Sequence, residues 1–253
     1  MERLKGKCAV FLDIDGTLID KSPMPSKRVV EAVRKAQKAG HKIFLDTGRG
    51  RGKIEQEMLD LLKPDGIVSA MGQYIEMDGN ILRCVCLEYE DVQLMEEIVS
   101  KRKFEAFYEG VYKTYRVPGS VNKGWSLENY DQPEGEEKKR LLKLCGIGRL
   151  EDEDVKRLKK RHDVFQHPEF FETVIKGYSK SEGMSFVLKR LGIPKENSIA
   201  MGDSANDADM IECAGVGVAM GNATLELKKI ADYITDTNEN DGVATALEAL
   251  LEM

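Results

Sequence analysis

Residues 8–20 read CAVFLDIDGTLID, and the order of apolar, acidic and turn-forming residues in this stretch decides the fold. Cys8 to Leu12 run apolar without alternation, which predicts a strand buried on both faces, as in a parallel sheet. Asp13 closes that strand, Asp15 follows two residues later, and Gly16 permits a tight turn. In open α/β sheets the carboxyl edge of the strands is where ligands bind. Two carboxylates so close together repel, so the pair implies a cationic partner. A carboxylate at the position of Asp13 can attack phosphorus when a cation shields it from the incoming charge. Asp15 is placed to protonate a leaving oxygen and then to activate water. A calcium loop counted from Asp13 would need glycine at its sixth position and glutamate at its twelfth, where Leu18 and Met24 stand, so that reading is excluded.

Working outward, short apolar segments bounded by turn residues recur at HKIFLDTG (41–48), GIVSAMG (66–72), SIAMGD (198–203), GVGVAMG (215–221) and DYITD (232–236). Helical patterns lie between them. In SKRVVEAVRKAQKAG, Ser26 suits an N-cap, Val29, Val30, Val33 and Ala36 form an apolar stripe, and Gly40 suits the stop. Residues 181–192 end the same way, with Gly192 followed by Pro194. This alternation predicts an α/β fold with a doubly wound parallel sheet. It breaks between about Gly79 and Gly177. There the order is a strand in ILRCVCLEY, a helix over EDVQLMEEIVSKRK and a strand pair in FEAFYEG and VYKTYRVPG. Charged helices over EGEEKKRLLKLC and EDEDVKRLKKR and a strand in EFFETVI complete it. The expected organisation is a core of residues 1–78 and 178–253 carrying an α+β insert at 79–177.

The chain has 253 residues, 42% of them hydrophobic, and Lys+Arg 38 against Asp+Glu 44 gives a formal net charge of -6. That balance disfavours a nucleic-acid partner. Apolar runs fall far short of the ~20 residues that span a bilayer, and the N-terminus lacks the apolar stretch of a signal peptide, so no membrane association and a cytoplasmic location are expected. The five cysteines, Cys8, Cys84, Cys86, Cys145 and Cys213, include no C-x-x-C pair. Cys84 and Cys86 share a strand face and could hold metal, but all five are read as small buried hydrophobes.

A second acidic constellation, GDSANDADM (202–210), follows the apolar run SIAM and sets Asp203 at a strand edge, with Asn206 and Asp207 one turn on. Asp13, Asp203 and Asp207 would form an oxygen-rich cluster suited to Mg²⁺, whereas Asp209 is read as a surface or N-terminal-turn charge. The third piece is Asp46-Thr47-Gly48-Arg49, where the Thr47 hydroxyl and nearby N–H groups can hold a phosphoryl oxygen. The tract GRGRGKI is not a nucleotide P-loop, because Thr47 and Ile54 stand where glycine and Ser/Thr are required. GVGVAMG departs from dinucleotide-binding spacing.

With FLDIDGTL, LDTGR, a lysine segment and GDSANDADM in this order, the chain resembles the haloacid dehalogenase superfamily, specifically the Cof-type phosphatases of subfamily IIB. The resemblance implies a Rossmann-like core with a C2B-type α+β cap between the second and third motifs. It implies Asp13 as nucleophile and Mg²⁺ ligand, and Asp15 as general acid/base whose backbone carbonyl also meets the metal. Asp203 is the principal remaining ligand, Asp207 and Asn206 support the metal or phosphate, Thr47 and Gly48 contact the phosphate, and Arg49 either touches the phosphate or closes against the cap. Lys180, rather than Lys176, fits the register of the family lysine, and would offset charge on Asp13 and the transferring phosphoryl group. The family's asparagine-glycine pair after the third strand is replaced by Met71-Gly72. The expected activity is Mg²⁺-dependent hydrolysis of a small phosphorylated metabolite, plausibly a sugar phosphate, through an aspartyl-phosphate. A sugar phosphomutase and a catalytically silent metabolite-binding protein are the alternatives, and the oligomeric state stays open. Tyr108, Tyr112, Tyr115 and Trp125 are aromatic candidates on the insert, with packing as the favoured reading.

Overall fold

A computed structural model describes residues 4–124 and 130–253; the candidate Trp125 lies outside the described residues. The chain opens with β1 (Ala9–Leu12), α1 (Lys27–Lys38), β2 (Lys42–Asp46), α2 (Gln56–Leu62), β3 (Gly66–Ser69), β4 (Tyr74–Met77) and β5 (Asn80–Cys84). The middle holds α3 (Tyr89–Arg102), β6 (Ala106–Gly110), β7 (Thr114–Arg116), β8 (Leu141–Ile147), α4 (Asp152–Leu158), β9 (His162–Gln166) and β10 (Phe170–Ile175). It closes with α5 (Lys180–Leu191), β11 (Ser198–Gly202), α6 (Ala208–Cys213), β12 (Val216–Ala219), α7 (Leu225–Ile230), β13 (Tyr233–Ile234) and α8 (Gly242–Leu250).

Two compact units result, one of residues 1–48, 55–82 and 179–253, the other of residues 49–54 and 83–178. The first carries an eight-stranded sheet in the order β13-β12-β11-β1-β2-β3-β4-β5. From β13 to β3 the pairs are parallel, and β3 meets β4 antiparallel. Strands β1, β3 and β12 are buried at every residue, which is why they read as unbroken apolar runs. The chain progresses outward from β1 in one direction through β2 and β3, and in the other through β11 and β12. A crevice at the carboxyl ends of the strands is expected at such a reversal, and here it falls between β1 and β11. Ser26 caps α1 by accepting from Val29 N–H, and Gly192 ends α5 in the left-handed region at φ 67.

The second unit is an antiparallel sheet in the order β7-β6-β8-β10-β9. Its apolar core joins Val92, Met95, Ile98 and Val99 of α3 to Ala106, Tyr108, Leu144 and Phe171 of the strands. The run EGEEKKRLLKLC, expected as a helix, is instead a 3₁₀ turn over Gly135–Arg140 followed by β8. Strand β8 lies between β6 and β10 and is buried from Leu141 to Gly146. A strand covered on both faces shows no alternation, so its leucines imitate a helical stripe. The tract Arg49–Ile54, assigned to the core by position, groups with the second unit. The reason is Glu109, whose carboxylate accepts from Gly50 N–H at 2.5 Å and from Lys53 Nζ at 2.9 Å.

Candidate active site

Asp13 is the first residue past β1, and its N–H donates to the carbonyl of Met201 on β11. That bond ties the ends of the two central strands together. Asp203 follows β11 directly, and Gly16 is the residue that lets the two loops approach. Its φ is +79, and a Cβ there would sit 2.2 Å from the Asp203 carboxylate. An alanine at 16 would therefore meet both backbone strain and a clash. Asp15 lies exposed beyond the strand end, close enough to raise the carboxyls of Asp13 and Asp203 by its charge.

Lys180 opens α5, yet it is wholly buried. Its Nζ lies 2.6 Å from Asp13 Oδ1 and 2.5 Å from Asp207 Oδ1. Burial alone would strip the proton from such a lysine, but Asp13, Asp207 and Asp46 hold it as an ammonium. Asp207 uses its other oxygen to accept the N–H groups of Asp203 and Ser204, each at 3.0 Å. It therefore fastens the lysine to the loop that carries Asp203. Lys176, by contrast, is exposed and belongs to the second unit. Asp209 stands in the first turn of α6 and accepts the N–H of Ser181 at 3.0 Å, which anchors the start of α5, a long-range contact that spacing does not reveal.

Asp13, Asp203 and Asp207 each offer an oxygen within 4.8 Å of the others. Their fit to a hard divalent cation rests on three observations. The donors are all oxygens, the set Mg²⁺ prefers. Three carboxylates face a single ammonium, leaving negative charge over. Asp203 Oδ1 is buried without a hydrogen-bond partner. With no cation, burial drives the Asp203 carboxyl up to about 6, with Asp207 and Asp15 adding to it against Lys180. Burial likewise drives Asp13 upward, opposed by Lys180 and reinforced by Asp207 and Asp15. Both shifts mark a charge missing from the cluster.

On the other side of β1, Thr47 follows β2 and is buried, its N–H donating to Val68 and its carbonyl accepting from Met71. Gly48 stands beside Asn206, whose Nδ2 would lie 3.6 Å from a Cβ at 48. The Asn206 side chain is itself held by Ser204 Oγ at 2.6 Å. The sequence-derived residues Asp13, Asp203 and Asp207 are thus within reach of one another, Lys180 bonds Asp13 and Asp207, and Gly48 and Asn206 form a second close pair. Arg49 groups instead with the second unit, where its Nη1 donates to Lys53 O at 3.4 Å. Sequence reasoning gave no role to Asp46, the residue before Thr47. Its carboxylate is fully buried, neither oxygen has a hydrogen-bond partner, and burial pushes its pKa well up. In the turn after β3, where Met71-Gly72 replaces the family pair, Ala70 and Met71 adopt φ 47 and 55. That region favours Gly and Asn, so the substitution leaves strain at the edge of the site.

Of the aromatic candidates, Tyr108 and Tyr115 belong to the apolar core of the second unit, while Tyr112 is 66% exposed. The uniform reading of the cysteines needs correction as well. Cys8 and Cys145 are buried, but Cys84, Cys86 and Cys213 are half-exposed, because β5 is an edge strand and α6 is short.

Residues 10–247 match the family model of the haloacid dehalogenase-like hydrolases. The chain belongs to that family. It is 30% identical over 242 residues to the 5-amino-6-(5-phospho-D-ribitylamino)uracil phosphatase YcsE of Bacillus subtilis (strain 168), covering 94% of this chain and 93% of the relative. It is 26% identical over 248 residues to the phosphoglycolate phosphatase of Methanothermobacter thermautotrophicus, covering 96% and 98%. The solved structure of a sugar phosphatase of haloacid dehalogenase subclass IIB superposes with a TM-score of 0.79 at 25% identity, covering 96% of this chain and 98% of that one. These relatives identify this haloacid dehalogenase-like hydrolase as a phosphoric monoester hydrolase of the Cof type. Among the described residues no helix is long and apolar enough to cross a membrane.

Proposed function

We propose that the protein is an Mg²⁺-dependent phosphatase that cleaves a small phosphorylated metabolite carrying a sugar or polyol through an aspartyl-phosphate on Asp13. The observation that carries this reading is the cluster of buried Asp13 and Asp207 with half-buried Asp203, closed on one side by Lys180. Mg²⁺, when bound by Asp13, Asp203 and the backbone carbonyl of Asp15, supplies charge neutralisation for the approaching phosphate. Asp207 keeps Lys180 and the Asp203 loop in position.

In this mechanism an Asp13 carboxylate oxygen attacks phosphorus, and Asp15 gives its proton to the leaving alkoxide. Asp15 then takes a proton from water as that water attacks the phosphoenzyme, releasing inorganic phosphate and restoring Asp13. Lys180 steadies the negative charge through both steps, and Thr47, Gly48 and Asn206 hold the phosphoryl oxygens. The insert, residues 79–177, acts as the cap that selects the substrate and excludes bulk water. The sugar or polyol class is favoured by the phosphoribityl substrate named for one relative and the sugar phosphatase activity named for another.

The test is release of inorganic phosphate from a panel of sugar, polyol, nucleotide and short-acid phosphates, with Mg²⁺ or with EDTA. Release should need the metal, should be fastest with a sugar or polyol phosphate, and should vanish in Asp13→Asn. An isomerised sugar phosphate in place of free phosphate would establish a mutase. Tight ligand binding with no product of either kind would leave only the binding protein.

A further inference from the structure

The fold described so far gives no role to Cys84 and Cys86, the last residue of β5 and its neighbour but one. Their Sγ atoms lie 3.5 Å apart, both half-exposed. Arg140, which ends the turn before β8, brings Nη1 to 3.9 Å from Cys84 Sγ. The three residues line one groove of about 640 Å³ on the second unit, with Lys138 and Lys139 on the same wall as Arg140 and with Glu88 and Glu96 facing them from α3 and its cap. We infer that Cys84 and Cys86 form a peroxide-reactive thiol pair, with Cys84 as the attacking thiolate and Cys86 as the thiol that closes the disulfide.

The electrostatics distinguish the two sulfurs. A hydrogen bond from Cys86 and the adjacent Arg140 guanidinium favour the Cys84 thiolate against burial, bringing its pKa down to about 6. The same hydrogen bond, with burial and the charge on Cys84, pushes Cys86 upward. A thiolate beside a cation, accepting from a neighbouring thiol, is the arrangement that makes a cysteine a nucleophile. A soft metal is disfavoured at this pair, because it would need both thiolates and would bring positive charge against Arg140.

The chemistry balances with hydrogen peroxide as the only co-reactant. The Cys84 thiolate attacks one peroxide oxygen, the O–O bond breaks, and hydroxide leaves to become water, which gives a sulfenic acid. Cys86 sulfur then attacks Cys84 sulfur, its proton and the departing hydroxide forming a second water. Two thiols and one peroxide become one disulfide and two waters. The sulfurs must approach by about 1.5 Å to reach bonding distance. The ring formed by neighbours this close in sequence is small and strained, so a dithiol reductant should reopen it readily.

The full chain, reduced and then treated with hydrogen peroxide at pH 7, should be digested with trypsin under alkylating conditions. Cleavage after Arg83 and Lys101 yields one peptide with both cysteines. That peptide should appear lighter by two hydrogens and regain them with dithiothreitol. Before oxidation, iodoacetamide should modify Cys84 about tenfold faster than Cys213, which is also half-exposed but has Ser185 rather than a cation as its polar neighbour. Arg140→Gln should remove most of that difference, and Cys86→Ser should leave a Cys84 sulfenic acid that dimedone captures. The proposal is overturned if the intact chain forms no disulfide within that peptide, if Cys84 reacts no faster than Cys213, or if dimedone marks another cysteine in Cys86→Ser. Protection of both thiols by equimolar Zn²⁺ in the unmodified chain would replace it with a metal site.

Discussion

The inserted unit pairs its buried charges. Lys143 lies against Glu172, Asp154 meets Arg102 at 2.7 Å, and Asp91 meets Arg161 at 3.0 Å. In the first unit the balance is different, since Asp13 and Asp207 share Lys180, Asp203 adds a third carboxylate, and the Asp46 carboxylate has no hydrogen-bond partner. A buried pair is neutral as a whole and asks nothing of solvent, whereas an acidic surplus stays unfavourable until a ligand arrives. The contrast separates charge paired within the fold from charge left over in the acidic cluster.

Asp13→Asn should break the comparison most visibly. Phosphate release should fall by about 10⁴-fold or more, since the proposed nucleophile is gone. In EDTA the same variant should melt no lower than the parent, and higher if relief of repulsion outweighs the lost bond to Lys180. Thermal melts beside the phosphate assay check both halves; an inactive variant that is also strongly destabilised would mean that Asp13 holds the fold.

Lys143→Met tests the opposite case. Removing the lysine leaves the Glu172 carboxylate with His167 alone, and the expected cost is roughly 3 kcal/mol of unfolding free energy. Lys143→Met combined with Glu172→Gln should recover most of it, which denaturant unfolding of the single and double variants will measure. A cost below about 1 kcal/mol for the single change would put this pair among the weak surface bridges.

The same contrast governs what could be read in advance. Strands β1, β2, β3 and β11 were legible because burial leaves uninterrupted apolar runs, and the acids that follow β1 and β11, Asp13 and Asp203, stand out against that background. Lys180 needed the family register, because nothing in YSKSEGM says that its ammonium will be buried. The bonds by which Asp207 locks Lys180 and the Asp203 loop are long-range geometry, invisible to spacing. In the insert, β8 was hidden by its own burial, and β9, reading HDVFQ, has too little apolar character to announce a strand. Asp46 was passed over because an acid next to Thr47 looks like part of a polar loop, although it is the last residue of a strand that is buried from Ile43 onward.

Acid should expose the difference between the units with a smaller effect. Burial would raise the Glu172 carboxyl, but Lys143 and His167 prevail and hold it at about 2, below the usual 4.5. A carboxylate with a lowered pKa contributes stability that is complete above the unfolded value and is lost as pH falls through the folded one. The window is therefore about pH 4.5 down to 2, with roughly 3 kcal/mol at stake, and Glu172→Gln should flatten it. Asp46 has the opposite sign. Its pKa is raised by burial, so its contribution is present below the usual 3.8 and is lost as pH rises, and Asp46→Asn should remove that slope. Unfolding free energies measured from pH 2.5 to 8 on both variants check the two signs.

The smallest effect discriminates most finely, because it compares equal bonds in the catalytic unit. Ser26 caps α1 by accepting from Val29 N–H at 3.2 Å, and Ser179 caps α5 by accepting from Glu182 N–H at 3.3 Å. Replacing either serine by alanine should cost about 1 kcal/mol of stability. Only α5 begins with the lysine that faces Asp13, so only Ser179→Ala should also lower kcat, by severalfold, as the first turn loosens and the Lys180 ammonium loses its fixed position. Ser26→Ala should leave kcat unchanged. Equal losses of stability with equal kcat values would mean that Asp13 and Asp207 suffice to position Lys180, and that the start of α5 contributes to the fold alone.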